Sequence, residues 1–327
     1  MFENIKRASF RHKNNKPEYY VLNYLRQMIP LAITRKCLSQ KMAYIHQVDV
    51  EYVRWRVDYY NCLNEMKTMD DSFIDIKKLK RHFKKNVYFF DAFEYLRYFP
   101  QTVRFVPLFG DITHIPDVPS LTKSRPIDGN NENSVVLKLE KIRHFLFVKD
   151  KNRFENKKNG LVGRSKAHQE HRMRFLTMYI DHPLCNIGQV NRKPNPQFIR
   201  PRLTIEEHLK YKFILCLEGN DVASNLKWVM SSNSIAVMPK PKYETWFMEG
   251  TLIPNHHYIL IRDDYSDLEE RLNYYIEHTD EALQIIANAH VYVEQFKDKK
   301  QEDLISLCVL TKYFEKTGQK VSGVFCS

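Results

Sequence analysis

No run in the 327-residue sequence approaches the ~18 apolar residues that a membrane span requires. The first twenty residues, MFENIKRASFRHKNNKPEYY, also lack the apolar core of a signal peptide, so a cytoplasmic protein is expected. The six cysteines (Cys37, Cys62, Cys185, Cys216, Cys308 and Cys326) are far apart and include no Cys-x-x-Cys pair, which predicts reduced, mostly buried thiols rather than a disulfide frame. Asp-x-Asp is absent, and with it the ligand pair of the common divalent-metal sugar-nucleotide site. Neither Gly-x-x-x-x-Gly-Lys-Ser/Thr nor Gly-x-Gly-x-x-Gly occurs, which counts against ordinary nucleoside triphosphatases and dehydrogenases. His168 with His171, and His256 with His257, have no cysteine or carboxylate at zinc-like spacing, so no metal site is expected. There is no internal repeat and no low-complexity tract.

What is present is a globular composition with a positive bias. The apolar share is 43%, with 20 Phe and 19 Tyr, and 51 Lys plus Arg against 39 Asp plus Glu give a net charge of +12. That balance implies an anionic partner: nucleic acid, an acidic membrane surface or a phosphorylated small molecule. The length exceeds what one core usually supports, so two domains or one large one are expected.

Along the chain, residues 19–68 place apolar side chains three and four apart, broken at Pro30, which predicts helices. From Lys85 the texture becomes aromatic and β-branched (NVYFFDAFEYLRYFP, then VRFVPLFGDITHIPDVPS), predicting a strand that stops at Gly110 and a long polar loop to Pro126. VVLKLEKIRHFLFV returns to helical spacing, and the charged KDKNRFENKKNG is the best boundary between domains. Beyond it, LVGRSKAHQEHRMRFLTMYI predicts strand, loop and helix. Thr204 and Glu207 have capping-box spacing after a Pro-rich connector. YKFILCLEGNDVASNLKWVMSSNSIAVM predicts strand, turn, helix and strand, and YETWFMEGTLIPNHHYILI a further strand. Two amphipathic helices with Asp280 as cap, then a terminal helix ending at Gly318, complete the chain. This alternation predicts an open, mainly parallel α/β sheet.

Three stretches suit chemistry. In CLEGNDVASNLKW, Gly219 permits a sharp turn, Asn220 and Asp221 are natural caps, and the backbone of Val222 to Ser224 suits a diphosphate at a helix start; a packing turn fits the same pattern. In GRSKAHQEHRMR, the residues Gly163, Arg164, Ser165, Lys166, Arg172 and Arg174 form a cationic loop for a phosphate-bearing ligand, or a solvated basic loop. In FGDITHIP, Asp111 follows a strand and a glycine, as a general base would, or as a loop cap would, and Asp117 competes with it.

With these stretches in view, the sequence resembles glycosyltransferase family 90, in particular its bacterial lipopolysaccharide-biosynthesis branch. The residues that carry the resemblance are FGDITHIPDVPSLTKSRPI, NSVVLKLEKIRHFLFV and the stretch from LTIEEHLKYKFILCLEGNDVASNLKW through DDYSDLEERLNYYIEHTDEA, within roughly residues 100–320. The resemblance implies an α/β fold of GT-B type, two Rossmann-like domains facing a cleft. It further implies a nucleotide-sugar donor, no metal, no cofactor and inversion at the anomeric carbon. Its base aspartate matches Asp111. Its diphosphate contacts match Arg172 and the turn from Gly219 to Lys227, which includes Asn220, Asp221 and Ser224. Arg164 is a further donor-side candidate, and Arg125, Glu218 and Glu244 are candidates for the cleft. Val162-Gly163-Arg164 stands where the family has Phe-Arg-Gly, and Asn225 where the glucosyltransferase branch has an arginine.

The expected organisation is an acceptor-side domain over 1–150, a nucleotide-sugar-binding domain over 151–305, and a C-terminal helix over 306–327 that packs back on the first. The expected partners are the donor, a glycan or lipid-linked glycan acceptor and an anionic membrane surface, which would place the protein peripherally on the inner membrane; nucleic acid is not expected. The rival is a basic nucleic-acid-binding or structural protein without catalysis, in which the same turns serve packing.

Overall fold

The computed structural model describes residues 12, 14–82, 86–192 and 195–321, so residues 1–11 and 13 of the basic terminus, and Cys326, lie outside the described residues. The chain divides into two compact units. One contains Asn15–Arg143, Lys242–Gly250 and the chain from Phe296 onward, and the other contains His144–Pro241 and Thr251–Gln295.

The first of these is built on a four-stranded sheet of β1 (Ile74–Asp75), β2 (Arg104–Leu108), β3 (Ser120–Thr122) and β5 (Ser134–Val136), in that order. β1 is antiparallel to β2, whereas β2, β3 and β5 are parallel. β4 (Ser124–Pro126) leaves this sheet to pair antiparallel with β10 (Tyr243–Thr245). Among the described residues, four helices of ten or more residues precede β2: α1 (Lys16–Met28), α2 (Leu31–Met42), α3 (Val50–Tyr60) and α4 (Val87–Leu96). Asn15, Asp49 and Asn86 cap α1, α3 and α4, each accepting from a backbone N–H three residues on.

Helix α9 (Lys299–Lys316) is the centre of this unit. Leu304, Ile305, Leu307, Val309, Leu310, Tyr313 and Phe314 are all buried, the pattern of a helix enclosed on every side. Near its start the buried Glu302 carboxylate meets Arg56 at 2.9 Å, Lys138 at 2.7 Å and the Trp246 indole N–H at 2.6 Å. Tyr60 stacks on Trp246 with ring centroids 3.8 Å apart, and its hydroxyl accepts from Arg56. The helix ends where Gly318 takes left-handed backbone at φ +74°.

The second unit carries a five-stranded sheet in the order β11-β9-β8-β6-β7, every neighbouring pair parallel. Its strands are β6 (Lys158–Ser165), β7 (Cys185–Gln189), β8 (Tyr211–Leu215), β9 (Ile235–Met238) and β11 (Ile259–Leu260). Leu161, Phe213, Ile235, Val237 and Ile259 share one core with Phe175 of α5 (Glu170–Tyr179), Leu272 of α7 (Leu268–Glu277) and Ile285 of α8 (Thr279–Glu294). The alternate residues Val162, Ile214, Ala236 and Met238 are buried as well. A parallel sheet covered on both faces requires such near-continuous apolar strands, and each buried large side chain contributes about 1.5–3 kcal/mol. The chain enters this sheet at β6, goes outward to β7, then crosses to the opposite side of β6 for β8, β9 and β11. The strand order therefore reverses between β6 and β8.

The parallel α/β sheet, the Thr204–Glu207 capping box and the terminal helix stopping at Gly318 appear as expected. Five free cysteines are described. Five expectations are corrected. The aromatic run after Lys85 is helix α4, because the Asn86 cap and the packing of Phe89, Phe90 and Leu96 override the β-propensity of its aromatics. The loop to Pro126 contains β3 and β4, whose polar SLT and SRP carry no alternation to read. The stretch expected to be helical after Ser134 is strand β5 and then a single turn, Lys141–His144, preceded by Glu140 at φ +56°. YETWFMEGTLIPNHHYILI divides into β10 and β11, which belong to different units. Asp280 lies in the first turn of α8 rather than capping it, since α8 begins at Thr279 directly behind α7.

Replacing Glu302 with Gln keeps the shape but leaves Arg56 and Lys138 without their shared anion. The expected loss is about 3 kcal/mol of unfolding free energy, measured by denaturant titration; a loss within error would show that the two cations have other sufficient partners.

Candidate functional site

The reversal of strand order places the loops after β6 and β8 side by side, at the carboxyl ends where open α/β sheets bind ligands. Arg172, in the first turn of α5, ties them together. Its Nε donates to the Glu218 carbonyl at 2.7 Å, Nη2 to Leu217 O at 2.8 Å and Nη1 to Lys166 O at 2.7 Å. His171 Nε2 donates to the same Glu218 carbonyl at 2.8 Å, and Gln169 Nε2 donates to Asn220 Oδ1 at 2.8 Å. Burial brings the Arg172 guanidinium down to about 10 from its usual 12.5, so it remains a cation at neutral pH.

Arg172, Glu218, Gly219 and Asn220 are thus gathered into one turn. Gly219 does not adopt left-handed backbone, and a Cβ there would meet Arg172 Nη2 at 3.4 Å, an ordinary contact. Asp221 is buried, whereas Asn220 and Ser224 are exposed. The helix expected directly after Gly219 starts only at Leu226, is five residues long (α6, Leu226–Met230), and has Asn225 donating to Leu215 O at 2.9 Å where the strand ends. Lys227 is fully buried, with its ammonium 5.8 Å from the Phe145 ring centroid. Arg164 is not brought to the turn contacts: its guanidinium donates to the carbonyls of Pro201, Gly163 and Asn186 and to Asn186 Oδ1.

Asp111 lies in the other unit. Gly110, at φ +135°, is in a region that favours glycine and turns the chain out of β2. Ser124 then clasps Ile112, its Oγ accepting from Ile112 N at 3.0 Å and donating to Ile112 O at 3.2 Å, which pins the loop to β4. The Asp111 carboxylate, partly exposed, accepts from the buried Lys123 ammonium at 2.5 Å. Glu140 lies 3.8 Å from the same ammonium. The Tyr88 phenol, held well above its usual value by burial and then by Glu140 and Asp111, donates to Glu140 at 3.3 Å. Asp117 is exposed on the same loop, with its carbonyl accepting from Asn133.

Arg125 and Glu244 are brought to each other. They face across the β4–β10 pair at 2.7 Å, both buried, with Arg125 also donating to Tyr59 O at 2.7 Å and to Ser134 O at 3.2 Å. The residues that sequence reasoning missed are Lys123, Glu140, Tyr88, His171 and Gln169. Lys123, Glu140, Gln169 and His171 lie within the stretches quoted above, but no local pattern singles them out. Among the described residues, no group of three or more His, Cys, Asp or Glu side chains is arranged to hold a metal ion.

A family model described as glycosyl transferase family 90 matches residues 144–320. The match covers the whole Arg172–Glu218 turn, and Asp111 lies outside it. The chain is similar to O-glucosyltransferase LpsA of Dichelobacter nodosus, 40% identical over 304 residues, which is 92% of this chain and 95% of that protein. It is also similar to the uncharacterized protein 027R of Frog virus 3 (isolate Goorha), 33% identical over 121 residues, 36% of this chain and 12% of that protein.

Arg172→Lys keeps a charge but loses the planar fork that satisfies three carbonyls. It is expected to cost about 2 kcal/mol of stability and to speed amide hydrogen exchange over residues 217–222. Exchange at the wild-type rate would mean that the turn holds itself without the guanidinium.

Proposed function

Because the chain belongs to glycosyl transferase family 90, and is therefore a glycosyltransferase with a sugar donor and a glycan acceptor, we propose that it is an inverting, metal-independent O-glucosyltransferase. In this reading the donor is a nucleoside-diphosphate sugar, most simply a UDP-sugar, and the acceptor is a hydroxyl of a lipopolysaccharide or another lipid-linked surface glycan. The glucosyl group follows the activity named for the Dichelobacter nodosus relative. No cofactor takes part. The two units serve as the halves of a GT-B type enzyme, one holding the donor and the other carrying the base. Family membership sets aside the non-catalytic, nucleic-acid-binding alternative.

The observation that carries this reading is Arg172 at the switch point between β6 and β8. Three of its five N–H groups hold carbonyls of the two loops, and the guanidinium they fix serves, through the other two, as a cation for the leaving diphosphate, joined by the backbone from Gly219 to Ser224. Lys227 acts from behind the turn as a buried charge rather than by contact. A preorganised donor of this kind lowers the barrier by roughly 3 kcal/mol.

The reaction is a single displacement. Asp111 takes the proton of the acceptor hydroxyl, the oxygen bonds to the anomeric carbon, and the bond to the diphosphate breaks on the opposite face. The Lys123 ammonium holds the Asp111 carboxylate in place beside it. Glu140, close to the same ammonium, draws Lys123 toward itself when Asp111 becomes neutral.

Asp111→Asn is expected to lower the transfer rate by about 10²–10⁴-fold while leaving the donor dissociation constant unchanged in calorimetric titration. Near-normal transfer would remove Asp111 as the base. A panel of nucleotide-sugars in a thermal-shift assay is expected to raise the melting temperature for one donor above the rest; a flat panel would count against the donor reading.

A further inference from the structure

Helix α1 is attached to its unit by the wrong side for an ordinary amphipathic helix. Its inward contacts are polar and aromatic rather than aliphatic: the Tyr19 hydroxyl donates to Asp91 at 2.7 Å, Arg26 pairs with Glu94 at 3.0 Å, Asn23 between them is buried, and Tyr20 and Tyr24 meet Phe90 edge-on. These positions, four and three apart, lie on one stripe of the helix. The opposite stripe is aliphatic and faces solvent: Val21, Leu22, Leu25 and Met28 are 56%, 52%, 53% and 78% exposed, and the surface continues through Ile29 and Ile33. The helix end is firmly held, because the buried Arg97 donates to the carbonyls of Arg26 and Ile29. The exposed stripe is therefore a fixed feature of the fold. Monomeric proteins seldom leave so continuous an apolar surface without a partner.

We propose that this face of α1 and the start of α2 is a docking surface for an anionic lipid bilayer. It deepens the lipid-linked acceptor reading given above, and its test reads binding rather than transfer. Charge selects this occupant. Residues 1–47 contain nine Lys and Arg against two Glu, a net +7 of the chain's +12. Lys16, Arg35 and Lys36 are exposed beside the aliphatic residues. A second copy of the chain would bring the same positive charge against this face, whereas an acidic leaflet offers an anionic rim over an apolar interior. An interfacial helix uses both, its aliphatic stripe entering the headgroup boundary while flanking cations meet lipid phosphates.

The test is co-sedimentation of the full chain with vesicles of phosphatidylcholine alone or with phosphatidylglycerol added. Selective, salt-weakened binding to the anionic vesicles is expected. The L25E/M28E variant, which touches none of the inward contacts, is expected to lose binding by at least about tenfold with an unchanged melting temperature. Equal binding by variant and wild type, or no binding by wild type, would overturn the proposal. So would a wild-type dimer that the variant converts to monomer while vesicle binding persists, since that assigns the face to a second copy. Transfer to a delipidated, soluble acceptor separates the two readings: the variant is expected to keep it, and a wild-type chain that binds vesicles but transfers nothing would fail the reaction while sustaining the surface.

Discussion

The unit that bears Asp111 depends on one buried carboxylate. Glu302 balances Arg56 and Lys138 and accepts the Trp246 N–H, so helix α9 cannot slide or rotate without stranding charge in the interior. From this point a series of contacts runs outward. Trp246 follows β10, whose Glu244 pairs with Arg125 on β4, and next to Arg125 the Ser124 hydroxyl clasps Ile112. Lys123, one residue further back, holds Asp111. The candidate base is thus positioned by a path of buried or half-buried polar contacts that begins almost two hundred positions away in sequence. Ion pairs buried in this way add little net stability against an apolar core of equal volume, but breaking one is costly, and that asymmetry fixes geometry.

Much of the five-stranded unit was legible in the sequence because its signals are local. Continuous apolar strands, a Gly-containing turn and a capping box each lie within a few residues of one another. The four-stranded unit was read less well, since its strands are two to five residues long and their pairing is decided by distant partners. Asp111 and Arg172 could be picked out by position after a strand. Lys123 and His171 could not, because what defines them is a contact across 12 and 47 positions, to a carboxylate and a carbonyl that any loop offers. Gly219 was noticed for its conformational freedom, yet its backbone does not use the left-handed region.

The placement of cations also changes the meaning of the net charge. Arg56, Arg97, Arg125 and Lys227 are buried, held by carboxylates, carbonyls and aromatic faces. They belong to the construction of the interior and do not act on a distant partner. The positive field left for association is weighted toward the N-terminal segment, where aliphatic side chains are exposed as well.

The two units are interleaved along the chain, with Lys242–Gly250 and the residues from Phe296 onward returning to a unit that began at Asn15. Synthesis on the ribosome runs one way, so Arg56 emerges 246 residues ahead of the Glu302 carboxylate that it needs. Until α9 is made, that unit has neither its central helix nor the anion shared by Arg56 and Lys138. A segment synthesised long after the first helices is therefore the one that closes this unit, and a chain released before residue 302 leaves the unit carrying Asp111 unfinished.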